Sequence, residues 1–228
     1  MRPYVVLSVA MSMDGYIDDT SARRLLLSDE ADLDRVDGLR ASCDAILVGA
    51  GTVRADDPRL RVRSPERRRE RIARGLPATP MRVVLGGRGE LSASARVFAA
   101  APGARPLLIL RGEALQSARQ RFSGVADVVQ TGPNGDPGEV LTELASRGVR
   151  RLLLEGGTTV NTAFLASCCV DEMQVAVAPV LVGESGAPRL AADAEYPWRA
   201  DRARLLDVSA VGDMAVVRWG LSERASAT

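Results

Sequence analysis

Short apolar runs bounded by turn residues recur along this chain, and they leave few architectures open. They are Tyr4–Ala10, Ala45–Val48, Arg82–Leu85, Pro106–Leu110, Val125–Val129, Arg151–Leu154, Glu172–Ala178 and Met214–Trp219. Each is short and rich in Val, Leu or Ile, so each reads as a buried strand. Helix-length stretches lie between several of them. Ser28–Ser42 opens on a Ser cap followed by acidic residues and carries Ala31, Leu33, Val36 and Leu39 at helical spacing. Gly138–Arg147 places Val140, Leu141 and Leu144 on one face, and Thr158–Ser167 follows a strand directly. Strand–helix alternation implies an α/β fold: a mostly parallel central sheet with helices on both faces. The last two strands follow one another without a clear helix, which implies an antiparallel edge.

The length, 228 residues with 46% hydrophobic, suffices for one large core, so residues 1–221 are expected to form a single domain and 222–228 a frayed tail. Aromatics are only 4%, so Val, Leu and Ala must fill that core. A formal net charge of +1 gives no reason to expect nucleic acid or an anionic membrane as partner. No apolar run approaches membrane-spanning length, and no signal-peptide pattern precedes the first strand. The three cysteines, Cys43, Cys168 and Cys169, are odd in number and poorly spaced, which reads as a reduced, cytoplasmic protein. Cys168 and Cys169 are expected near a helix end as small apolar residues.

Histidine is absent. That excludes a Ser-His-Asp or Cys-His nucleophile and ordinary His-ligated zinc, so no metal is expected. Proton transfer must use carboxylates, basic side chains, tyrosine or water.

Three segments have the grammar of a site. In Arg151-Leu-Leu-Leu-Glu155-Gly156-Gly157-Thr158-Thr159 an apolar strand ends in a carboxylate and two glycines, and a helix begins at once. Glycines let a ligand approach the backbone, and helix N-terminal amides favour a phosphate. A plain tight turn would explain the glycines but not a carboxylate at the strand end. The second segment runs from Asp44 to Arg63, a strand ending in the turn Gly49-Ala-Gly51-Thr52, then Asp56-Asp57-Pro58 and a series of arginines. It is neither a complete dinucleotide fingerprint nor a Walker loop. Surface charge and a sugar-plus-phosphate clamp explain it equally well. The third, Met11-Ser-Met13-Asp14-Gly15, reads by itself as an Asp-Gly turn. The arginine-rich run 61–74 reads as a solvated loop or short helix before it reads as a phosphate patch.

Taken together and in order, these segments resemble the reductase domain of riboflavin biosynthesis, a relative of dihydrofolate reductase. The marks are S-M-D-G, the block from Leu39 through Asp44-Ala-Ile-Leu-Val-Gly to Asp56-Asp57-Pro58 and Val62-Arg63, L-L-L-E-G-G, and Val170-Asp171-Glu172-Met173 with Ala178-Pro179-Val180-Leu181-Val182-Gly183. They span residues 3 to 220. The resemblance implies a dihydrofolate-reductase-like fold, NADPH as cofactor, and hydride transfer to C1′ of the ribose on a phosphoribosylamino-pyrimidine, giving a ribityl product. It also implies a homodimer, with Glu172–Ala178 as a candidate interface. Carried over by position, Arg24, Arg40, Leu60 and Arg63 would contact substrate, the two arginines Arg40 and Arg63 gripping a 5′-phosphate. Glu155 would accept hydrogen bonds from substrate and assist ring opening. Thr52, Asp56, Gly87, Arg88, Gly156, Gly157, Thr158 and Thr159 would meet the cofactor, with Ala10 and Leu26 on the nicotinamide side. The chain departs from that family's usual pattern at Ser8, where bacterial bifunctional members carry lysine, at Leu26, near a usual tryptophan, and at Gly86-Gly87, where an Asp-Ser pair is common. The H-x-E and P-C-x-x-C marks of the deaminase often fused to this reductase do not appear. A dihydrofolate or pterin reductase, a secondary-metabolism reductase of the same superfamily and a non-enzymatic binding protein are the alternatives.

Overall fold

The computed structural model describes residues 1–21, 23, 25–86, 91–100, 103–111, 115–132 and 135–225. In chain order its elements are β1 (Tyr4–Ser12), α1 (Glu30–Ser42), β2 (Ala45–Gly49), α2 (Ala50–Asp56), α3 (Pro65–Ala73), β3 (Met81–Gly86), β4 (Leu107–Arg111), α4 (Leu115–Phe122), β5 (Asp127–Thr131), α5 (Pro137–Ser146), β6 (Arg151–Leu154), α6 (Thr158–Ala166), β7 (Glu172–Ala178), β8 (Arg204–Val211) and β9 (Met214–Gly220). The strands make a mixed, mostly parallel sheet with one antiparallel edge, as the alternation of runs implied. The chain divides into two compact units, residues 1–3 with 37–153 and residues 4–36 with 154–228.

In the first unit the strand order is β5-β4-β3-β2-β6. β2, β3, β4 and β5 pair in parallel, with Leu47 opposite Val83 and Val83 opposite Leu107. Ala45–Val48 and Leu107–Leu110 are buried at every position, on both faces. That is why these strands appear in the sequence as unbroken apolar runs and not as alternations. α5 begins at Pro137, one residue before the expected start, because Asp136 accepts hydrogen bonds from the Gly138 and Glu139 amides and proline suits the first helical position. Its Val140, Leu141 and Leu144 are buried as expected. The arginine-rich run forms α3, capped by Ser64, which accepts from the Arg67 amide. One of its arginines, Arg71, is only 2% exposed. Its guanidinium donates to the carbonyls of Ala41, Cys43 and Pro77, and burial pulls its pKa down.

In the second unit the order is β1-β7-β9-β8. β1 and β7 are parallel, and β7–β9 and β9–β8 are antiparallel. β8 has no counterpart among the expected strands: it is exposed at nearly every position, so no burial pattern marks its sequence. The strand expected at a dimer interface, Glu172–Ala178, is β7. β7 has β1 on one side and β9 on the other, so it has no edge to offer; the edge strand of this unit is β8. Of the expected tail, Ser222 and Arg224 both bond the Asp171 carboxylate, and residues 226–228 lie outside the described residues.

α1 begins at Glu30, and its cap is Asp29 rather than Ser28: the Asp29 carboxylate accepts from the Asp32 amide at 2.8 Å. The same carboxylate takes the Asp213 amide in the β8–β9 turn at 2.9 Å, and these two bonds, the Asp32 one first, hold its pKa below the usual carboxylate range. The buried face of α1 also differs from the expected apolar one. Ala31 is exposed, whereas Asp32 and Asp37 are buried. Asp32 pairs with Arg35, which also donates to Gln174 at 2.7 Å. Buried carboxylates on a helix need such partners, and helical spacing alone cannot announce them. Cys168 and Cys169 do follow α6, but only Cys169 is buried; Cys168 is exposed, at φ +53°. Among the described residues, no helix is long and apolar enough to cross a membrane.

Candidate active site

β6 ends at Leu154 and delivers Glu155, half-buried, into a turn that only glycines can make. Gly156 has φ +89° and Gly157 has φ +68° with ψ 154°. A Cβ at either would be strained, and one at Gly156 would also meet the Asn161 amide group at 3.4 Å. α6 follows without a side-chain cap, since Gly157 occupies the cap position. α3 and α5 spend a serine and an aspartate there. The α6 ladder starts with the Asn161 amide donating to Gly157 O at 3.0 Å, which leaves the amides of Thr158, Thr159 and Val160 ahead of it, at the positive end of the helix. This terminus suits an anion.

Thr158 is half-buried, and its hydroxyl donates to Arg189 O at 2.6 Å. With the hydroxyl proton engaged there, what Thr158 can donate to a ligand is its backbone amide. Thr159 is exposed. Asn161 escaped the reading of the sequence. It is 0% exposed, its Nδ2 donates to Leu190 O at 2.9 Å, and its Oδ1 has no hydrogen-bond partner among the described residues. The signal was a polar residue one turn into a helix that starts on two glycines.

The same unit holds Ala10, half-buried against a small core of Leu27, Ala176, Ala178, Met214 and Val216. Leu26 is 67% exposed beside the buried Leu27. Arg24 lies outside the described residues. The Ser12–Gly15 turn is more than an Asp-Gly turn. Ser12 Oγ donates to Asp14 at 2.6 Å, and the amides of Val182 and Gly183 donate to the same carboxylate at 3.1 and 2.7 Å. The Ser12 hydroxyl first, then those two amides, lower the Asp14 pKa to about 2.

In the other unit Gly49 closes β2 with φ −77°, and α2 carries Thr52 and Asp56, both half-buried. Leu60 is buried and has φ +47°, a conformation that costs a non-glycine residue about 1–2 kcal/mol. With its side chain in the core, only its backbone is left to face a ligand. Arg40, in the last turn of α1, donates to Arg61 O at 3.3 Å. One turn earlier, Asp37 accepts from the amides of Arg63 and Ser64 and from the Arg67 guanidinium at 3.1 Å. The 61–64 segment is thus fastened to α1 through its backbone, and the Arg63 side chain is left exposed. This unit brings together Arg40 and the 60–63 segment. The chain contains no lysine, so every side-chain cation here is a guanidinium. Gly87 and Arg88 lie outside the described residues.

Comparison with known proteins adds to this geometry. The family described as the RibD C-terminal domain matches residues 3–217. A 2,5-diamino-6-ribosylamino-4(3H)-pyrimidinone 5′-phosphate reductase of Archaeoglobus fulgidus is 40% identical over 189 residues, covering 82% of this chain and 85% of that protein. The protein of the same name from Methanothermobacter thermautotrophicus is 37% identical over 207 residues, covering 90% and 91%. Among solved structures, RibD of Acinetobacter baumannii superposes with a TM-score of 0.76 at 29% identity; it covers 96% of this chain, which spans only 58% of that one. Dihydrofolate reductase from Enterococcus faecalis, at TM-score 0.52 and 11% identity over 95% of both chains, shares the fold.

Proposed function

The chain belongs to the RibD C-terminal domain family, and from that premise we propose that it is an NADPH-dependent reductase acting on a phosphoribosylamino-pyrimidine, reducing the ribosyl group to ribityl. The names of the relatives at 40% and 37% identity support the substrate class and the reaction. The observation that carries the reading is the uncapped start of α6 behind Gly156 and Gly157, with a carboxylate one residue upstream. The two positive-φ glycines leave room at the backbone, and the amides of Thr158, Thr159 and Val160 ahead of the α6 ladder offer the donors that a phosphorylated ligand needs.

In this reading residues 1–221 act as one reductase domain, and the family match runs through both units. The amides of Gly157, Thr158 and Thr159 bind the cofactor pyrophosphate. Gly156 keeps side chains clear of it, Ala10 and Leu26 line the nicotinamide side, and Thr52 and Asp56 meet the cofactor, Asp56 through a ribose hydroxyl. The family resemblance assigns Gly87 and Arg88 to the cofactor and makes it NADPH rather than NADH. When bound, the reduced nicotinamide supplies a hydride. Arg40 and Arg63, supported by the Leu60 backbone and Arg24, hold the 5′-phosphate through paired guanidinium bonds. Glu155 accepts hydrogen bonds from the substrate and assists opening of the ribose, which leaves an imine-like carbon at C1′. With no histidine in the chain, the remaining task is orientation. A homodimer is proposed from the resemblance, with β8 as its contact: it is an edge strand, and Leu205 and Val208 on it are exposed. The odd number and poor spacing of Cys43, Cys168 and Cys169 support a cytoplasmic setting.

The test is a stopped assay of NADPH and NADH against 2,5-diamino-6-ribosylamino-4(3H)-pyrimidinone 5′-phosphate, its deaminated 5-amino-uracil counterpart, and dihydrofolate in parallel. Turnover of either ribosyl phosphate with NADPH is expected. Turnover of dihydrofolate alone would overturn the proposal.

A further inference from the structure

The S-M-D-G motif plays no chemical part in the reaction just described, yet its carboxylate is among the most heavily bonded in the second unit. Apart from Ser12, its partners belong to the segment 180–192, which crosses from that turn to the first turn of α6. At one end, Met13 N donates to Val180 O at 2.8 Å, the Val182 and Gly183 amides bond Asp14, and the Thr20 amide bonds Glu184 at 2.9 Å. In the middle, Ile17 N donates to Pro188 O at 2.9 Å. The Arg189 guanidinium stacks on the Tyr16 ring, 4.3 Å from its centroid, and donates to the Tyr16 hydroxyl at 2.8 Å. At the other end, Arg189 O accepts the Thr158 hydroxyl, Leu190 O accepts Asn161 Nδ2, and the Ala192 amide donates to Thr162 Oγ1 at 2.9 Å. Three of the four polar residues in the α6 N-terminal turns, Thr158, Asn161 and Thr162, are therefore oriented by one segment, and that segment is held by the turn after β1.

We infer that Asp14 and Arg189 are positioning residues: through the 180–192 strap they hold the first turn of α6 in the attitude that binds the cofactor phosphates. The inference rests on the proposed function, which puts the pyrophosphate at Gly157–Thr159. Among the described residues no side-chain cap holds that turn. A helix start that must stay open for a ligand cannot be stabilised by a cap that occupies the same amides, so the fastening comes from side chains at its flank. Asp14 is suited to this task, since its depressed pKa keeps it an acceptor throughout the physiological range.

The experiment uses the full chain. Wild type, Asp14→Asn, Arg189→Ala and Arg189→Lys are compared by NADPH titration, by amide hydrogen exchange with and without NADPH, and by tryptophan emission. Both tryptophans, Trp198 and Trp219, line a cavity of about 440 Å³ with Leu190 and Ala191 of the strap, so their emission reports its docking. The expected result is that Asp14→Asn raises the NADPH Kd about tenfold, the loss of one or two hydrogen bonds. Arg189→Ala raises it about three- to fivefold, and Arg189→Lys recovers most of that by restoring the cation over the ring. Exchange speeds up at 180–192 and at 158–162, the emission shifts, and the KM for the pyrimidine stays within about twofold. If Asp14→Asn does not fold, the Arg189 pair still decides. Faster exchange in the strap with an unchanged NADPH Kd would overturn the inference and leave the cofactor reading standing. NADPH bound to wild type without protecting the amides of 157–161 would overturn both.

Discussion

Two strand-to-helix turns in this protein look alike in sequence and differ in every physical respect. Gly49-Ala-Gly51-Thr52 joins β2 to α2, and Glu155-Gly156-Gly157-Thr158 joins β6 to α6. At the first, Gly49 has an ordinary φ of −77°, and Gly51 lies inside the helix with nothing within 4 Å of where a Cβ would stand. Neither glycine is required by the backbone. The unusual geometry there comes later, in Asp57 and Leu60, which adopt φ +41° and +47° without being glycines. At the second turn both glycines sit at positive φ, and the helix they start has no cap. A glycine pair thus has two meanings: at β2 it is tolerated, at β6 it is obligatory. In the proposed function the two segments also recognise anions differently, by guanidinium side chains beyond α2 and by main-chain amides at α6.

Mutation can break or sharpen this contrast. Glu155→Gln carries the largest expected effect: kcat falls by about 10²- to 10³-fold in a protein whose melting temperature is nearly unchanged, read by steady-state kinetics beside a thermal melt. A full-rate Glu155→Gln enzyme would strip the β6 turn of its chemistry. Gly157→Ala comes next. Forcing a side chain to φ +68° and ψ 154° costs about 1–3 kcal/mol of stability, and NADPH affinity falls with it; denaturant melts and titration measure the two. Arg63→Ala raises the KM for the phosphorylated substrate roughly ten- to thirtyfold while the NADPH Kd moves little, because the exposed guanidinium goes and the backbone held by Asp37 stays. Loss of NADPH affinity instead would exchange the roles of the two segments.

Acid separates the regions by a smaller margin. Asp14, at about 2, and Asp29 are both depressed in the folded state. Their contribution to stability is therefore complete above their unfolded pKa, near 4, and is lost as pH falls toward 2. Both lie in the second unit, as do both tryptophans. Tryptophan emission should change between pH 4 and pH 2, and Asp14→Asn should flatten that transition. The smallest effect is expected of Gly51→Ala: a helical position with open space should gain up to about 0.5–1 kcal/mol in a thermal melt, the reverse of Gly157→Ala.

Much of the architecture is legible in the sequence. Strands buried on both faces, such as Ala45–Val48 and Leu107–Leu110, announce themselves by composition alone. The Glu155–Thr159 turn was legible because glycine pairs at a strand end have few uses. β8 was not legible: a strand exposed on nearly all sides has no periodicity to read, and its place depends on pairing with β9. The cap of α1 lies one residue beyond Ser28 because Ser28 and Asp29 are both good caps, and the choice falls to the one whose carboxylate also meets the Asp213 amide. The arginine-rich run looked like a solvated face, yet Arg71 is buried by carbonyls supplied from residues 41, 43 and 77.

By itself, then, the sequence determined the succession of apolar strands, the kinship with a reductase family, and the one turn that must be glycine. Those are consequences of local sterics and of apolar surface seeking cover, which neighbouring residues suffice to express. Only the tertiary structure decided which polar groups are already taken: the Thr158 hydroxyl by Arg189, the Asn161 amide by Leu190, and the Asp14 carboxylate by the backbone of Val182 and Gly183. A hydrogen bond joins groups by position in space, and here the partners lie 29 to 169 residues apart, beyond the reach of any pattern along the chain.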